Sequence, residues 1–420
     1  MRGVDRRQFV LGAAASLLLV QNRRALAGAV AGESAGPMEP WSKGTLDLHH
    51  IATGRGNSVL AILPDGTSMM IDAGAVGGST EALGPARPND SRRPGEWIGR
   101  YALHHLRTAP RQELDYFVLT HFHGDHMGDV TTDSPMARSG DYRLTGVSDV
   151  AELIPIRRLI DRGSPNYSYP APSTADSMLN YMKFGRSISA RGTIVEQIDV
   201  GSQDQIRLTH APSEYPSVAI RALAANGKVW TGHGSDSVGM FPPLATLKPS
   251  EFPTENACSC ALRMEYGDFR YYIGGDLTSD TNFGASPWMD VETAVAKVAG
   301  PVNVCALDHH GYYDATGPEF IRHMHPRISI IQTWHASHPA LSVLNELYSP
   351  VLSEGPRDVF ATGIVSAASL ADARLSDKML SQHGHIVVRV HPGGKNYEVL
   401  VLDDTVENGS LLSKWGPFQS

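Results

Sequence analysis

Short apolar runs broken by glycine-rich and polar turns alternate along most of this chain. Residues 45–51, 59–63 and 68–71 read as three strands of an antiparallel meander, joined by the loop 52–58 and by the turn Pro64, Asp65, Gly66, Thr67. The run Leu114, Asp115, Tyr116, Phe117, Val118, Leu119 is short and rich in aromatic and β-branched residues, which predicts a buried strand. Two further strands flank the turn Tyr266, Gly267, Asp268, and the second of them ends in Gly274, Gly275, Asp276. Residues 302–307 and 328–333 are strands of the same kind, and 385–390 with 397–402 form a hairpin expected to complete the second sheet. Helical patterns cover 95–107 and 341–348. Residues 131–209 read as irregular, with a patch rich in proline and tyrosine at 164–172, and are expected to be a loop-rich insertion facing the substrate.

The segment after the strand at 114–119 carries the chemistry. His121, His123, Asp125 and His126 stand at the spacing H-x-H-x-D-H, with Gly124 and Gly128 between and after them. A helix presenting one ligand face does not produce this spacing; a tight loop folded around metal does. Alternate residues of an extended turn point to opposite sides, so His121 and His123 reach one ion while Asp125 and His126 reach a second. Asp276, set behind two small residues, is a carboxylate able to come close to both ions and bridge them. Arg55 lies between two glycines, Gly54 and Gly56, which let the backbone approach a ligand and leave the guanidinium free to fork onto an oxyanion. His210 and His233 are weaker candidates for one more ligand, and His338 for a place near the site. Cys258, Cys260 and Cys305 are expected to be small core residues rather than a disulfide or metal ligands.

These segments resemble the metallo-β-lactamase superfamily over about residues 45–404. Within it they look most like the hydrolase domains of DNA-uptake channel proteins and of teichoic-acid phosphorylcholine esterases. The resemblance implies an α/β fold, a four-layer αββα sandwich, and places Asp72 behind the metal-binding loop. It also implies that in His309, His310, Gly311 the second histidine is a ligand and the first lies close to substrate or leaving group. Tyr312, Tyr313 and Asp314 depart from the small serine-containing segment usual after that element. The expected ligand set is therefore His121, His123, Asp125, His126, Asp276 and His310, with Asp125, His309 and Arg55 as catalytic groups.

Two divalent ions, by ligand type zinc, would hold a bridging hydroxide that attacks an ester. A phosphodiester is the favoured substrate, a β-lactam or lactone the enzymatic alternative, and a non-catalytic metal-binding protein on the same fold the alternative from another class. At the N-terminus, Arg6 and Arg7 precede an apolar run of about twelve residues and then Ala25, Leu26, Ala27, too short for a bilayer of about 30 Å but matching a signal peptide of twin-arginine type. This predicts a signal segment at 1–27, a linker at 28–44, one domain at 45–405, a tail at 406–420, and export to the periplasm or beyond by the twin-arginine machinery. The formal charge of −8 becomes −12 without residues 1–27, which argues against a nucleic-acid partner. A small-molecule or ester substrate remains.

Overall fold

The computed structural model describes residues 36–420 apart from 79, 367 and 369–372. The expected signal segment and residues 28–35 of the expected linker lie outside the described residues. Among the described residues no helix is long and apolar enough to cross a membrane.

The chain builds β1 (Leu46–His50), β2 (Val59–Ile62), β3 (Ser68–Ile71), β4 (Leu114–Val118), β5 (Ile156–Asp161) and β6 (Ile194–Gln197) in one sheet. It then builds a second from β7 (Val218–Ala225), β8 (Lys228–Trp230), β9 (Ser237–Gly239), β10 (Ala261–Tyr266), β11 (Phe269–Ile273), β12 (Val304–Ala306), β13 (Ile328–Ile331) and β14 (Asp358–Ala361). Finally β15 (His385–Val390), β16 (Asn396–Leu402) and β17 (Leu411–Gln419) return to the first sheet, whose order is β17-β16-β15-β1-β2-β3-β4-β5-β6. The second sheet runs β14-β13-β12-β11-β10-β7-β8-β9.

Alternation along the strands shows why there are four layers. Val59 and Ala61 of β2, Met69 and Ile71 of β3, Tyr271 and Ile273 of β11, and Ile328 and Ile330 of β13 all enter one core between the sheets. Their neighbours Leu60, Ile62 and Met70 pack outward under helices Pro94–Leu106, Val147–Leu153 and Asp176–Ala190. On the other side Tyr272, Cys305 and Ile331 pack outward under helices Val291–Ala299, Pro318–Met324 and Leu341–Leu347. Strands covered on both faces carry few polar residues, which is why these apolar runs are nearly continuous in sequence. All three cysteines are buried and free.

Three expectations change. Residues 131–209 are not an irregular insertion: β5 and β6 extend the first sheet in parallel from β4, and two helices cover them. Their strands were hard to see because β5 carries exposed Arg157 and β6, at the sheet edge, is only half-buried. Residues 406–420 are not a tail, because β17 pairs with β16 along its length. The hairpin 385–402 completes the first sheet, since β15 pairs with β1.

β3 to β6 run parallel, as do β11 to β14. Their carboxyl ends lie on one side of the sandwich, the usual place for a site in α/β sheets.

Two buried histidines, one ending β1 and one beginning β15, make stability depend on pH. Burial pushes His50 down from 6.5 to about 4 and His385 down to about 3. The folded state therefore refuses protons that the unfolded chain accepts below about 6.5. Their contribution is level above pH 7 and falls as pH drops from about 6.5 towards 4, by about 3 kcal/mol for each histidine. Urea midpoints should decline between pH 7 and 4.5, with a flatter slope in His385→Asn; parallel slopes for the two proteins would count against this assignment.

Candidate metal centre

The site begins with Asp72, one residue past β3 and held at φ 60°, in the left-handed region. Its carboxylate accepts the Thr120 N–H and hydroxyl, each at 2.8 Å, and the His126 Nδ1–H at 2.7 Å. The ends of β3 and β4 are thereby tied together, and the His126 ring is fixed with Nε2 pointing away from Asp72.

After Thr120 the chain does not stay a loop. The His123 carbonyl accepts the N–H groups of His126 and Met127 at 3.0 and 2.8 Å, so Gly124–Met127 close one helical turn that carries Asp125 and His126. The glycine-rich loop after β1 braces this turn through the Asn57 N–H to Asp125 O bond of 2.8 Å. A Cβ on Gly56 or Gly74 would come within 2.3 or 2.0 Å of that same carbonyl, so both positions demand glycine.

The second sheet brings the opposing groups. Asp276 follows β11, with its N–H bonded to Ser259 Oγ at 3.2 Å. His309 and His310 follow β12 with φ of 45° and 57°, a backbone conformation disfavoured for both and typical of functional positions. His310 donates Nδ1–H to the Gln332 carbonyl at 2.9 Å, which turns Nε2 onto Asp125 Oδ2 at 2.9 Å and Asp276 Oδ2 at 3.6 Å. His126 Nε2 lies 3.0 Å from Asp276 Oδ1 and 3.5 Å from Asp125 Oδ2. His121 Nε2 lies 3.1 Å from His123 Nδ1 and 3.7 Å from Asp276 Oδ2.

Two sets result, Asp125, His126, Asp276 and His310 in one and His121, His123 and Asp276 in the other, with ligand atoms in each set within 4.8 Å of one another. Donors about 2.1 Å from a common ion stand roughly 3–4 Å apart, so the spacing suits metal. His126 Nε2 and Asp276 Oδ1 support the fit independently: both are buried, they face each other at 3.0 Å, and beyond that contact neither has a hydrogen-bond partner. An ion would satisfy both. Burial by itself would raise Asp125 and Asp276, yet His126 and His310 beside them hold both carboxylates well below the usual range. They are ionised, as ligands must be.

His309 sits at the edge of this cluster, its Nδ1 2.6 Å from Asp314 Oδ1 and its Nε2 3.8 Å from Asp276 Oδ2. Asp314, Gln332 and Glu255 have no signal of their own in the sequence. Glu255 accepts the Phe122 N–H at 2.8 Å and pairs with Arg162, clamping the loop between the two histidines. His338, by contrast, lies directly at the site, its ring stacked on His310 at 4.8 Å and 19°.

Other expected residues are not gathered there. Arg55 turns Nη1 to backbone, donating to the carbonyls of Gly54 and Gly84 and holding the 82–86 loop. It lines a neighbouring cavity of about 370 Å³ with Arg87, Arg92 and Asp129. His210 pairs with Asp115 at 3.3 Å, and His233 is exposed in the turn after β8. A cavity of about 1090 Å³ opens at the amino ends of β4 to β6, where Leu114 and Ile156 begin, at the opposite end of the strands from the histidines.

Facing sheets, helices on both outer faces, and a histidine and aspartate cluster at the carboxyl ends of the strands define a four-layer αββα sandwich with a candidate metal centre. No protein-family model matches the sequence, and no curated protein matches it. Solved structures are matched, with low similarity in the case that follows. One, a mutant of the CmlA beta-hydroxylase, gives a TM-score of 0.38 at 13% identity over 84% of this chain. The chain spans 55% of that protein's length.

Proposed function

We propose that this chain is a metal-dependent hydrolase whose substrate is a phosphodiester or related ester. The observation that carries the proposal is the convergence of His121, His123, Asp125, His126, Asp276 and His310 into two sets that share Asp276. Divalent ions there, zinc by ligand type, would supply an acidified water and positive charge against a developing oxyanion.

The remaining work falls to the chain. In hydrolysis the oxygen of water bonds to phosphorus, the bond to the leaving oxygen breaks, and that oxygen departs with a proton. His309 is the group placed to hold this proton. Burial would lower its pKa, but Asp314 and Asp276 raise it above the ordinary value, and Asp314 fixes the ring so that Nε2 faces the cluster. Asp72 and Gln332 keep His126 and His310 in the tautomer that leaves Nε2 open. Arg55 is assigned no part in the step, because its guanidinium bonds backbone.

The test is metal content together with turnover of a phosphodiester, a β-lactam and a lactone side by side. About two ions per chain and phosphodiester turnover are the expected result. One ion or none after supplementation overturns the paired centre, and faster lactam or lactone turnover overturns the substrate.

Export belongs to the same proposal and rests on Arg6, Arg7 and the apolar run after them. A reporter fused to the first 30 residues should be exported by the twin-arginine machinery and retained when both arginines become lysine. Undiminished export of the double variant would remove that route.

A further inference from the structure

Tyr312 and Tyr313 come directly after the His309, His310, Gly311 element, and Trp334 and His338 lie in the loop after β13. Their rings form one connected surface leading from the histidine cluster to solvent. Trp334 meets His310 at 5.7 Å between ring centroids and His338 at 5.2 Å. Tyr312 meets His309 at 5.2 Å, His338 at 5.9 Å and Tyr313 at 4.4 Å. Exposure climbs along the surface, from 5% at His338 to 66% at Tyr313. At the buried end, His338 Nδ1 has no hydrogen-bond partner.

Building on the hydrolytic function proposed above, we infer that this surface receives a planar, uncharged aromatic group next to the scissile bond, so that the substrate class is aryl phosphodiesters and aryl esters. The chemistry is the hydrolysis already written, with the aryl oxygen leaving as a phenol.

Three observations favour a neutral ring. Stacking and edge contacts between rings reward a planar group over an alkyl group of similar size. Asp314, which follows the two tyrosines, is already engaged with His309 at 2.6 Å rather than standing free as a counter-charge for a cation. Two divalent ions also outweigh the charge of Asp125 and Asp276, leaving the centre net positive and repulsive to a cation. The surface is held in place before any ligand arrives. The Trp334 carbonyl accepts the Gly84 N–H at 2.8 Å, and the Ala82 carbonyl accepts the Ala336 N–H at 2.7 Å. Arg55 in turn holds the Gly84 carbonyl. A fixed surface loses little freedom on binding.

The test is calorimetric binding of phenylphosphonate and methylphosphonate to the metal-loaded protein, with phosphodiester turnover measured on the same samples. Phenylphosphonate should bind about tenfold tighter than methylphosphonate. Tyr313→Ala, an exposed change that spares folding, and Tyr312→Leu should both narrow that gap while methylphosphonate affinity holds. Equal affinity in the wild type, or a gap that survives both substitutions, overturns the inference. Failure of both phosphonates to bind overturns it together with the binding of anions at the metals. Turnover without a phenyl preference overturns the aromatic surface alone, whereas a phenyl preference without turnover of any ester supports the surface and overturns the hydrolytic function.

Discussion

Asp276→Ala should abolish turnover, by at least about 10³-fold, and release ions from both sets of ligands. Asp276 is the one side chain common to the two sets, with Oδ1 3.0 Å from His126 Nε2 and Oδ2 3.6 Å from His310 Nε2 and 3.7 Å from His121 Nε2. Loss of it leaves three imidazoles crowded without a central negative charge, so the damage reaches beyond one coordination position. Folding is not expected to fail, because the Asp276 N–H remains bonded to Ser259. Elemental analysis and steady-state kinetics on the same preparation decide the matter. Loss of a single ion would place the bridge on another residue, and full activity would remove Asp276 from the mechanism.

His309→Ala and His310→Ala should part company although the residues are neighbours. His310 is tied to Gln332 behind and faces Asp125 and Asp276 in front, whereas His309 is tied to Asp314 and stands off Asp276 by 3.8 Å. His310→Ala should lose metal and, with it, activity. His309→Ala should keep its metal and lose about 10²-fold to 10⁴-fold in turnover, the range expected when a general acid is removed. The loss should be smaller for a substrate whose leaving group is already acidic, because such a group departs without a proton from the protein. Metal loss in the His309 variant would show that the two roles are exchanged; an unchanged rate with both substrates would leave His309 a structural residue held by Asp314.

Much of this centre was legible because its ligands lie where strands end. Short, uniformly apolar runs announce strands covered on both faces, and His121, His123, Asp125 and His126 follow one such run within six positions. Asp276 and the His309, His310 pair repeat the arrangement after β11 and β12. Sequence alone therefore determined the strands that carry the site and the residue types offered to metal, while the four-layer class was only what the resemblance implied. Tertiary structure decided which of their atoms meet. His310 and Asp125 are 185 positions apart, and their contact depends on two separate sheets facing one another. The supports Asp314, Gln332 and Glu255 carry no local pattern, because a hydrogen bond to a carbonyl or a carboxylate can come from any part of the chain. Arg55 shows the converse: its flanking glycines did predict a close backbone approach, but Gly54 approaches Pro85, Gly56 approaches Asp125, and the guanidinium turns to Gly84. β5, β6 and β17 were missed for one physical reason. At or near a sheet edge, a strand keeps polar residues on its open side and takes its stability from pairing with a partner remote in sequence, which periodicity within the strand cannot reveal.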